Sequence, residues 1–164
     1  NDSQLNTGEV RVASGDAWTE VRIDPLNGHR SLFSKRAFQP GEVISPFYWD
    51  HIQETPTYLT VQIGTGQHVE LLPAHLECVN HSCSPNAFFN TTARELQCIS
   101  PIEAGAEITF FYPSAEWDMD QLFDCHCQEA ACIGRIAGAK YLNAAQRQHY
   151  LFTAFIQEQF RQNA

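Results

Sequence analysis

The distribution of cysteines constrains the fold of this chain more than any other sequence feature. Three of the six thiols, Cys125, Cys127 and Cys132, fall within eight residues. Disulfide geometry is difficult to satisfy between cysteines so close in sequence, whereas three thiolates can converge there on one metal ion. A structural zinc site has four ligands, so the fourth must come from another part of the chain. The remaining thiols are Cys78, Cys83 and Cys98.

The cysteine spacing leaves two alternatives open. The clustered thiols can be small buried apolar side chains, as free cysteines often are, or the six cysteines can form three disulfides in a secreted protein. Two glycosylation sequons, at 80–82 and 90–92, would modify a folding segment in a secretory pathway. Spacing and sequons therefore favour an intracellular, reducing compartment, cytoplasmic or nuclear. Because the first residue is Asn and not Met, the possibility that a leader has been removed stays open.

Composition indicates one globular domain. The chain has 164 residues, of which 43% are hydrophobic and 12% aromatic, enough for one sizeable core. Ten basic residues against 19 acidic ones give a net charge of −9, which opposes direct binding to nucleic acid and is compatible with a basic peptide. No apolar run approaches the roughly 20 residues that cross a bilayer, so no membrane partner is expected. Nothing in the sequence indicates the oligomeric state.

The pattern of turns and alternating apolar residues predicts a mainly β fold with a late helix. A polar tail over 1–20 precedes the first strand. Asn143 is a good N-cap with Gln146 at the third helical position, and apolar residues then recur near one face of the helix. The predicted strands are 21–23, 32–38, 42–48, 58–63, 68–72, 87–90, 95–100 and 107–112.

Three motifs together resemble a known family. They are Asn80-His81-Ser82-Cys83-Ser84-Pro85-Asn86, then Glu107-Ile108-Thr109-Phe110-Phe111-Tyr112, then the cysteine cluster. In order and spacing they resemble the signatures of SET-domain protein-lysine methyltransferases with a post-SET zinc module. The segment 30–44 is similar to the opening hairpin of that family, so the resemblance covers about residues 20–135.

The resemblance implies a SET-domain β fold with a pseudoknot, in which the segment around Asn80 is threaded through a loop near Tyr112. It implies S-adenosylmethionine as cofactor, held by Asn80 and His81, with Arg30 and Tyr112 also in the cofactor site. Tyr112 takes the place of the catalytic tyrosine. Phe110 helps to set how many methyl groups a lysine receives, and a Phe there suggests di- or trimethylation.

The resemblance also selects Cys83 as the fourth ligand of one structural zinc ion, beside Cys125, Cys127 and Cys132. The implied organisation is a leading segment over 1–20, the SET domain over 21–119, the post-SET zinc module over 120–135 and a C-terminal helix over 136–164. The expected partner is a lysine-containing protein or peptide, such as a basic tail.

The sequence departs from the family pattern at three places. The Gly-x-Gly of the opening hairpin falls on His29-Arg30-Ser31, and the acidic position before the catalytic tyrosine is Phe111. The insert at 49–72, which normally shapes substrate choice, is short. The acidic run Glu116, Asp118, Asp120 and Asp124 is expected to be a solvated face, with attraction of a basic peptide as the alternative.

The expected function is methyl transfer from S-adenosylmethionine to the side-chain amine of a protein lysine. The lysine has to be neutral to react, which costs about 4 kcal/mol near pH 7.4 for a pKa of about 10.4. An apolar channel lowers that cost by desolvating the ammonium form. The alternative is a non-catalytic SET module that binds a peptide and folds around zinc.

Overall fold

A computed structural model describes residues 11–163 of the chain. Its strands are short and bounded by turns, as the sequence pattern predicts. The strands are β1 (Arg11–Gly15), β2 (Thr19–Ile23), β3 (Arg30–Ser34), β4 (Val43–Pro46), β5 (Thr60–Gly64), β6 (Gln67–Glu70), β7 (Asn80–His81), β8 (Ala87–Asn90), β9 (Glu95–Cys98), β10 (Thr109–Phe110), β11 (Phe123–Asp124) and β12 (Arg135–Ile136). The helices are α1 (Ala144–His149) and α2 (Ala154–Gln162), with 3₁₀ turns at Ala74–Cys78, Tyr112–Ser114 and Ala139–Tyr141.

The predicted and observed elements differ at the N-terminal end and in the strand before Tyr112. The tail predicted over 1–20 contains β1, which pairs antiparallel with β2; the first ten residues of that tail lie outside the described residues. The strand predicted over 107–112 is regular only at β10, because Tyr112 begins a 3₁₀ turn.

The C-terminal segment is not the single helix that was predicted over 136–164. It begins in β12 and its helical part is divided into α1 and α2, because Tyr150 takes an extended backbone conformation that ends α1. The predicted capping box is confirmed: the Asn143 side chain accepts from the Gln146 backbone N–H, and the Gln146 side chain accepts from that of Asn143. The Thr153 side chain caps α2 by accepting from the Ile156 backbone N–H, without a reciprocal side-chain bond.

The largest sheet places distant parts of the sequence side by side. Its strand order is β4-β9-β8-β10-β7, and β10 runs parallel to both of its neighbours. Thr109 is in register with Asn80, and Phe110 with His81. The predicted proximity of the Asn80 segment to the Tyr112 segment is therefore confirmed. The smaller sheets are β1-β2-β3, β5-β6 and β11-β12.

Two hydrophobic clusters lie on either side of β10. The larger one fills the space between the sheets and includes Leu32, Phe89 and Phe110. The smaller one contains Phe111 and Ile156 and joins α2 to the rest of the domain. Neighbouring residues of a strand point to opposite faces, so Phe110 and Phe111 enter different clusters. None of the helices within 11–163 has the length and apolar character that crossing a membrane requires.

Candidate functional site

A cavity of about 850 Å³ opens where the 3₁₀ turn after β10 meets the end of the opening hairpin. Its walls come from segments that are far apart in the sequence, from Asn27 to Phe123. The residues that bear on function are Arg30, Asn80, Phe89, Phe110, Tyr112 and Phe123. The structure thus brings four of the five predicted cofactor and catalytic residues to one space, and their roles stay predictions.

Tyr112 lies on the cavity wall in the first turn after β10. Its backbone N–H donates to Nδ1 of His81 over 3.1 Å, which fixes the turn against β7. Burial raises the pKa of its phenol to about 12, so the hydroxyl is neutral at physiological pH. A hydrogen bond between the phenol and the His81 backbone offsets part of the effect of burial on this pKa.

Aromatic rings form the deep wall of the cavity. Phe110 packs edge-on against Phe89, with ring centroids 4.8 Å apart, and its ring lies 4.7 Å from that of Tyr112. Phe123 closes the other side, 5.8 Å from the Tyr112 ring. Phe110 therefore serves in the core and in the cavity wall at once. Such a wall desolvates a charged group and can hold a methylated ammonium by cation–π attraction.

Asn80 is anchored by the residues that replace the family's glycines. Its side-chain amide donates to the backbone carbonyl of Arg30 over 2.8 Å and to Oγ of Ser31 over 2.9 Å, and lies 3.2 Å from Nε2 of His29. Asn80 and Arg30 both line the cavity. The hairpin thus holds Asn80 through the Arg30 backbone and through the Ser31 side chain, a contact that glycine at position 31 would lack.

His81 does not line the cavity, in contrast to its predicted place in the cofactor site. Its ring is packed between those of Phe111, Tyr112 and Phe123, with centroids 5.2 to 5.8 Å away. Burial lowers the pKa of His81 to about 4, so the imidazole is neutral. Because Nδ1 accepts from the Tyr112 backbone, the proton lies on Nε2, which donates to the Cys83 sulfur over 3.3 Å. Its side chain links the cavity to the cysteines.

The four cysteines named from the sequence meet in space. The sulfurs of Cys83, Cys125, Cys127 and Cys132 all lie within 4.8 Å of one another, and those of Cys83 and Cys125 are 3.9 Å apart. Sulfurs about 2.3 Å from a tetrahedral zinc ion are about 3.8 Å apart, so the arrangement fits such an ion. The cluster can bind a metal. Cys78 and Cys98, in contrast, are buried in the larger hydrophobic cluster.

Burial and backbone hydrogen bonds shift the pKa values of the clustered thiols. Ile133 N–H donates to the Cys83 sulfur over 3.5 Å, and Cys127 N–H donates to that of Cys125 over 3.4 Å. Burial raises the pKa of Cys83, and that of Cys125 to about 11. Burial acts in the same direction at Cys127, but hydrogen bonds from backbone groups and from neighbouring thiols outweigh it and lower its pKa to about 7. A divalent cation would favour the thiolate at all four positions.

The sequence analysis missed several residues of the site. Phe89 lines the cavity, yet in the sequence it is an ordinary aromatic of a short predicted strand. Glu116 belongs to an acidic run that was expected to be solvated, and this expectation is wrong for Glu116, which is partly buried and faces the cavity. Its position four residues after Tyr112 is the one sequence signal that could have singled it out.

Comparison with known proteins agrees with this geometry. The SET domain family model matches residues 29–113, more than half of the chain. The chain belongs to the SET domain family. That match contains β3, the Asn80 segment and Tyr112, and it ends before the cysteine cluster at 125–132.

Two relatives are methyltransferases by name. A protein of Aspergillus flavus named methyltransferase flvH is 39% identical over 104 residues, which cover 62% of this chain and 58% of that protein. Histone-lysine N-methyltransferase set9 of Schizosaccharomyces pombe is 38% identical over 56 residues, which cover 33% of this chain and 12% of that protein. The chain thus spans little more than half of the first relative and a small part of the second. Methyl transfer is the general activity that these similarities support.

Proposed function

We propose that this SET domain transfers a methyl group from S-adenosylmethionine to the side-chain amine of a protein lysine, and that its cysteine cluster holds one structural zinc ion. One observation carries the proposal: Tyr112 and Phe110 share a single cavity with Asn80 and Arg30. The name of the Schizosaccharomyces pombe relative, a histone-lysine methyltransferase, supports lysine as the acceptor.

The residues of the cavity suit the two ligands. Asn80, held by the backbone of Arg30 and by Ser31, would bind the polar end of S-adenosylmethionine together with Arg30. When bound, that cofactor supplies an activated methyl group on a sulfonium centre. The neutral Tyr112 hydroxyl can orient the acceptor nitrogen, and the rings of Phe89 and Phe110 exclude water from it.

The aromatic wall also bears on the number of methyl groups. Phe110 carries no hydroxyl that would hold a water beside the acceptor nitrogen, so space remains for a nitrogen that already carries methyl groups. We propose dimethylated or trimethylated lysine as the product. Mass spectrometry of the modified lysine would test this part by itself.

Zinc and a reducing compartment belong together in this proposal. Four sulfurs within 4.8 Å of one another match a structural zinc site, which needs thiolates rather than disulfides. All six cysteines are free in the structure. We therefore propose an intracellular, reducing location. Metal analysis with thiol counting would test it against the secreted alternative, which requires no metal and no free thiols.

Two measurements test the enzymatic function. Isothermal titration of the zinc-replete protein with S-adenosylmethionine is expected to give one site per chain. Incubation with cofactor labelled on its methyl group, together with core histones and separately with a cell lysate, is expected to label protein at lysine. Absence of cofactor binding would favour the non-catalytic SET module. Binding without transfer to any protein would restrict the function to cofactor recognition.

A further inference from the structure

Glu116 is an acidic side chain on the wall of the aromatic cavity. It follows the 3₁₀ turn that begins at Tyr112, and both residues line the same space. The backbone carbonyl of Glu116 accepts from Ala139 N–H over 2.8 Å. One oxygen of its carboxylate, Oε1, accepts from the backbone N–H of Gln62 in β5 over 3.2 Å. Ala139 therefore holds the backbone of Glu116, and β5 holds its side chain.

Within the described residues, one oxygen of the Glu116 carboxylate accepts no hydrogen bond, and no cation lies beside it. Within residues 11–163 its second oxygen accepts no hydrogen bond, and no Lys, Arg or His forms an ion pair with Glu116. A partly buried carboxylate without a cation is unfavourable for folding, so burial raises the pKa of Glu116 to about 8 and the group is largely protonated near pH 7. A ligand that brings a positive charge to this wall would relieve that cost.

The methyl acceptor of the proposed function is such a ligand. A lysine enters as an ammonium ion and must lose one proton before its nitrogen can attack a methyl group. We propose that the Glu116 carboxylate binds the acceptor ammonium and accepts that proton. This inference rests on the proposed function and adds a proton acceptor to it.

The proton balance of the step is simple. One N–H bond of the ammonium breaks and one O–H bond forms on Glu116, which leaves a neutral amine with a free electron pair and a neutral carboxyl group. After methyl transfer the nitrogen is again positively charged, and Glu116 returns its proton to water through the open side of the cavity.

Proton transfer from the ammonium to Glu116 is less unfavourable than transfer to a carboxylate with an ordinary pKa. Moving a proton from an amine with a pKa of about 10.4 to a carboxylate with a pKa of about 4.3 is unfavourable by about a million-fold. For the pKa of about 8 that Glu116 has without a ligand, the same transfer would be unfavourable by a few hundred-fold, and a bound ammonium, which lowers that pKa, makes the gain smaller. The Tyr112 phenol, with its pKa near 12, is a neutral hydroxyl and takes no proton.

The other titratable groups around the cavity are placed less well for this role. Glu77 faces the positive charge of Arg30, and Glu107 lies near His29 and contacts the Asn80 amide. Asp120 is exposed to solvent. The titratable and charged groups that line the same cavity as Glu116 are His29, Arg30, Tyr58, Glu77, Cys78, Tyr112 and Asp120.

The first experiment measures binding of n-butylamine, which reproduces the end of a lysine side chain. The zinc-replete chain is saturated with S-adenosylhomocysteine and titrated with n-butylamine from pH 6 to pH 9, followed by NMR. We expect affinity to increase as pH rises toward about 8, where Glu116 ionises while the amine is still charged. Glu116→Gln should bind at least tenfold more weakly and without that increase. Asp120→Asn, which alters an exposed carboxylate of the same cavity, should behave as the wild type does.

The second experiment measures the pH dependence of methyl transfer to core histones, or to a lysate protein labelled by the wild type. We expect the wild-type rate to rise with pH up to about 8. The Glu116→Gln rate should be about a hundredfold lower and should lack that limb. Its affinity for S-adenosylmethionine should be unchanged.

The outcomes separate this inference from the proposed function. If the wild type does not bind S-adenosylmethionine, both fall together. If the cofactor binds but n-butylamine does not, or Glu116→Gln leaves the amine affinity and pH profile unchanged, the inference alone is overturned. Should Glu116→Gln fail to fold, carbon-13 NMR of the wild-type Glu116 carboxylate decides: n-butylamine must lower its pKa, and an unchanged titration contradicts the proposal.

Discussion

The cysteine cluster and the aromatic cavity differ in how the chain builds them. Three of the four clustered thiols come from one stretch of eight residues, and only Cys83 arrives from elsewhere. The cavity takes its walls from segments between Asn27 and Phe123, most of them short strands and turns. A metal ion needs only a few donor atoms around a point, whereas a substrate channel needs a continuous surface. The first can be local, and the second depends on topology.

His81 and Cys83 show that the two regions are nonetheless connected. One ring nitrogen of His81 contacts the Tyr112 backbone and the other contacts the Cys83 sulfur. Tyr150 adds a second link, since its hydroxyl donates to the Cys83 carbonyl over 2.6 Å and its ring stacks on Phe111 at 3.6 Å. Loss of the proposed zinc ion is therefore expected to affect the cavity as well as the cysteines.

The largest expected effect comes from removing one metal ligand. Cys127→Ser should lose stoichiometric zinc, since a structural site depends on all four ligands and zinc supplies much of the folding energy of such small modules. Hydrogen exchange should become faster over 120–135 and, to a smaller extent, around Tyr112. Cys98→Ser is the matched control, because the Cys98 thiol lies outside the cluster and donates to the Ser100 carbonyl. Retained zinc in Cys127→Ser would contradict this ligand assignment.

The second prediction concerns the cavity alone. Tyr112→Phe removes one hydroxyl and should lower the rate of methyl transfer by about a hundredfold or more, with folding and zinc content unchanged. The corresponding control is Tyr58→Phe, at the exposed mouth of the same cavity, where 74% of the residue is accessible to solvent. Equal rates for Tyr112→Phe and the wild type would remove Tyr112 from the mechanism.

A third prediction concerns the pH dependence of stability. The pKa of Glu116 is raised from 4.5 to about 8 by burial, so the folded state binds its proton more tightly than the unfolded state does. This contribution to stability is complete below pH 4.5 and is lost as pH rises through about 8. Glu116→Gln should therefore be more stable than the wild type at pH 9, by on the order of 1 to 3 kcal/mol, in urea unfolding. An equal stability difference at pH 4 and pH 9 would contradict the raised pKa.

The smallest expected effect is at a helix end that the sequence predicts by itself. Asn143→Ala removes the capping box of α1 and should cost about 1 kcal/mol of unfolding free energy, measured by thermal or urea unfolding. Zinc content and cofactor affinity should not change, because α1 contributes to neither region. Asn163→Ala, at the far end of α2, is the control and should have a smaller effect. A loss of zinc in Asn143→Ala would show that the helices and the cluster are coupled more tightly than their contacts suggest.

The features that could be predicted from the sequence were those with a local cause. The strands flanked by turns, the Asn143 cap and the three close cysteines each depend on a few neighbouring residues. The break between α1 and α2 could not be predicted, because Tyr150 is held extended by its stacking on Phe111. The partial burial of Glu116 likewise depends on its contact with Gln62, 54 residues earlier in the chain.

The sequence by itself determined which chemistry the chain can carry: soft metal donors at close spacing, aromatic residues before Tyr112, and the motif order of the SET domain family. Only the tertiary structure decided which of these groups face one another. The parallel pairing of β7 with β10 puts Asn80 and Tyr112 on one cavity, turns Phe111 away into the second cluster and leaves His81 between cavity and cysteines. The physical reason is that side-chain identity and local spacing are written along the chain, whereas burial and the pKa shifts it produces depend on contacts between residues far apart in it.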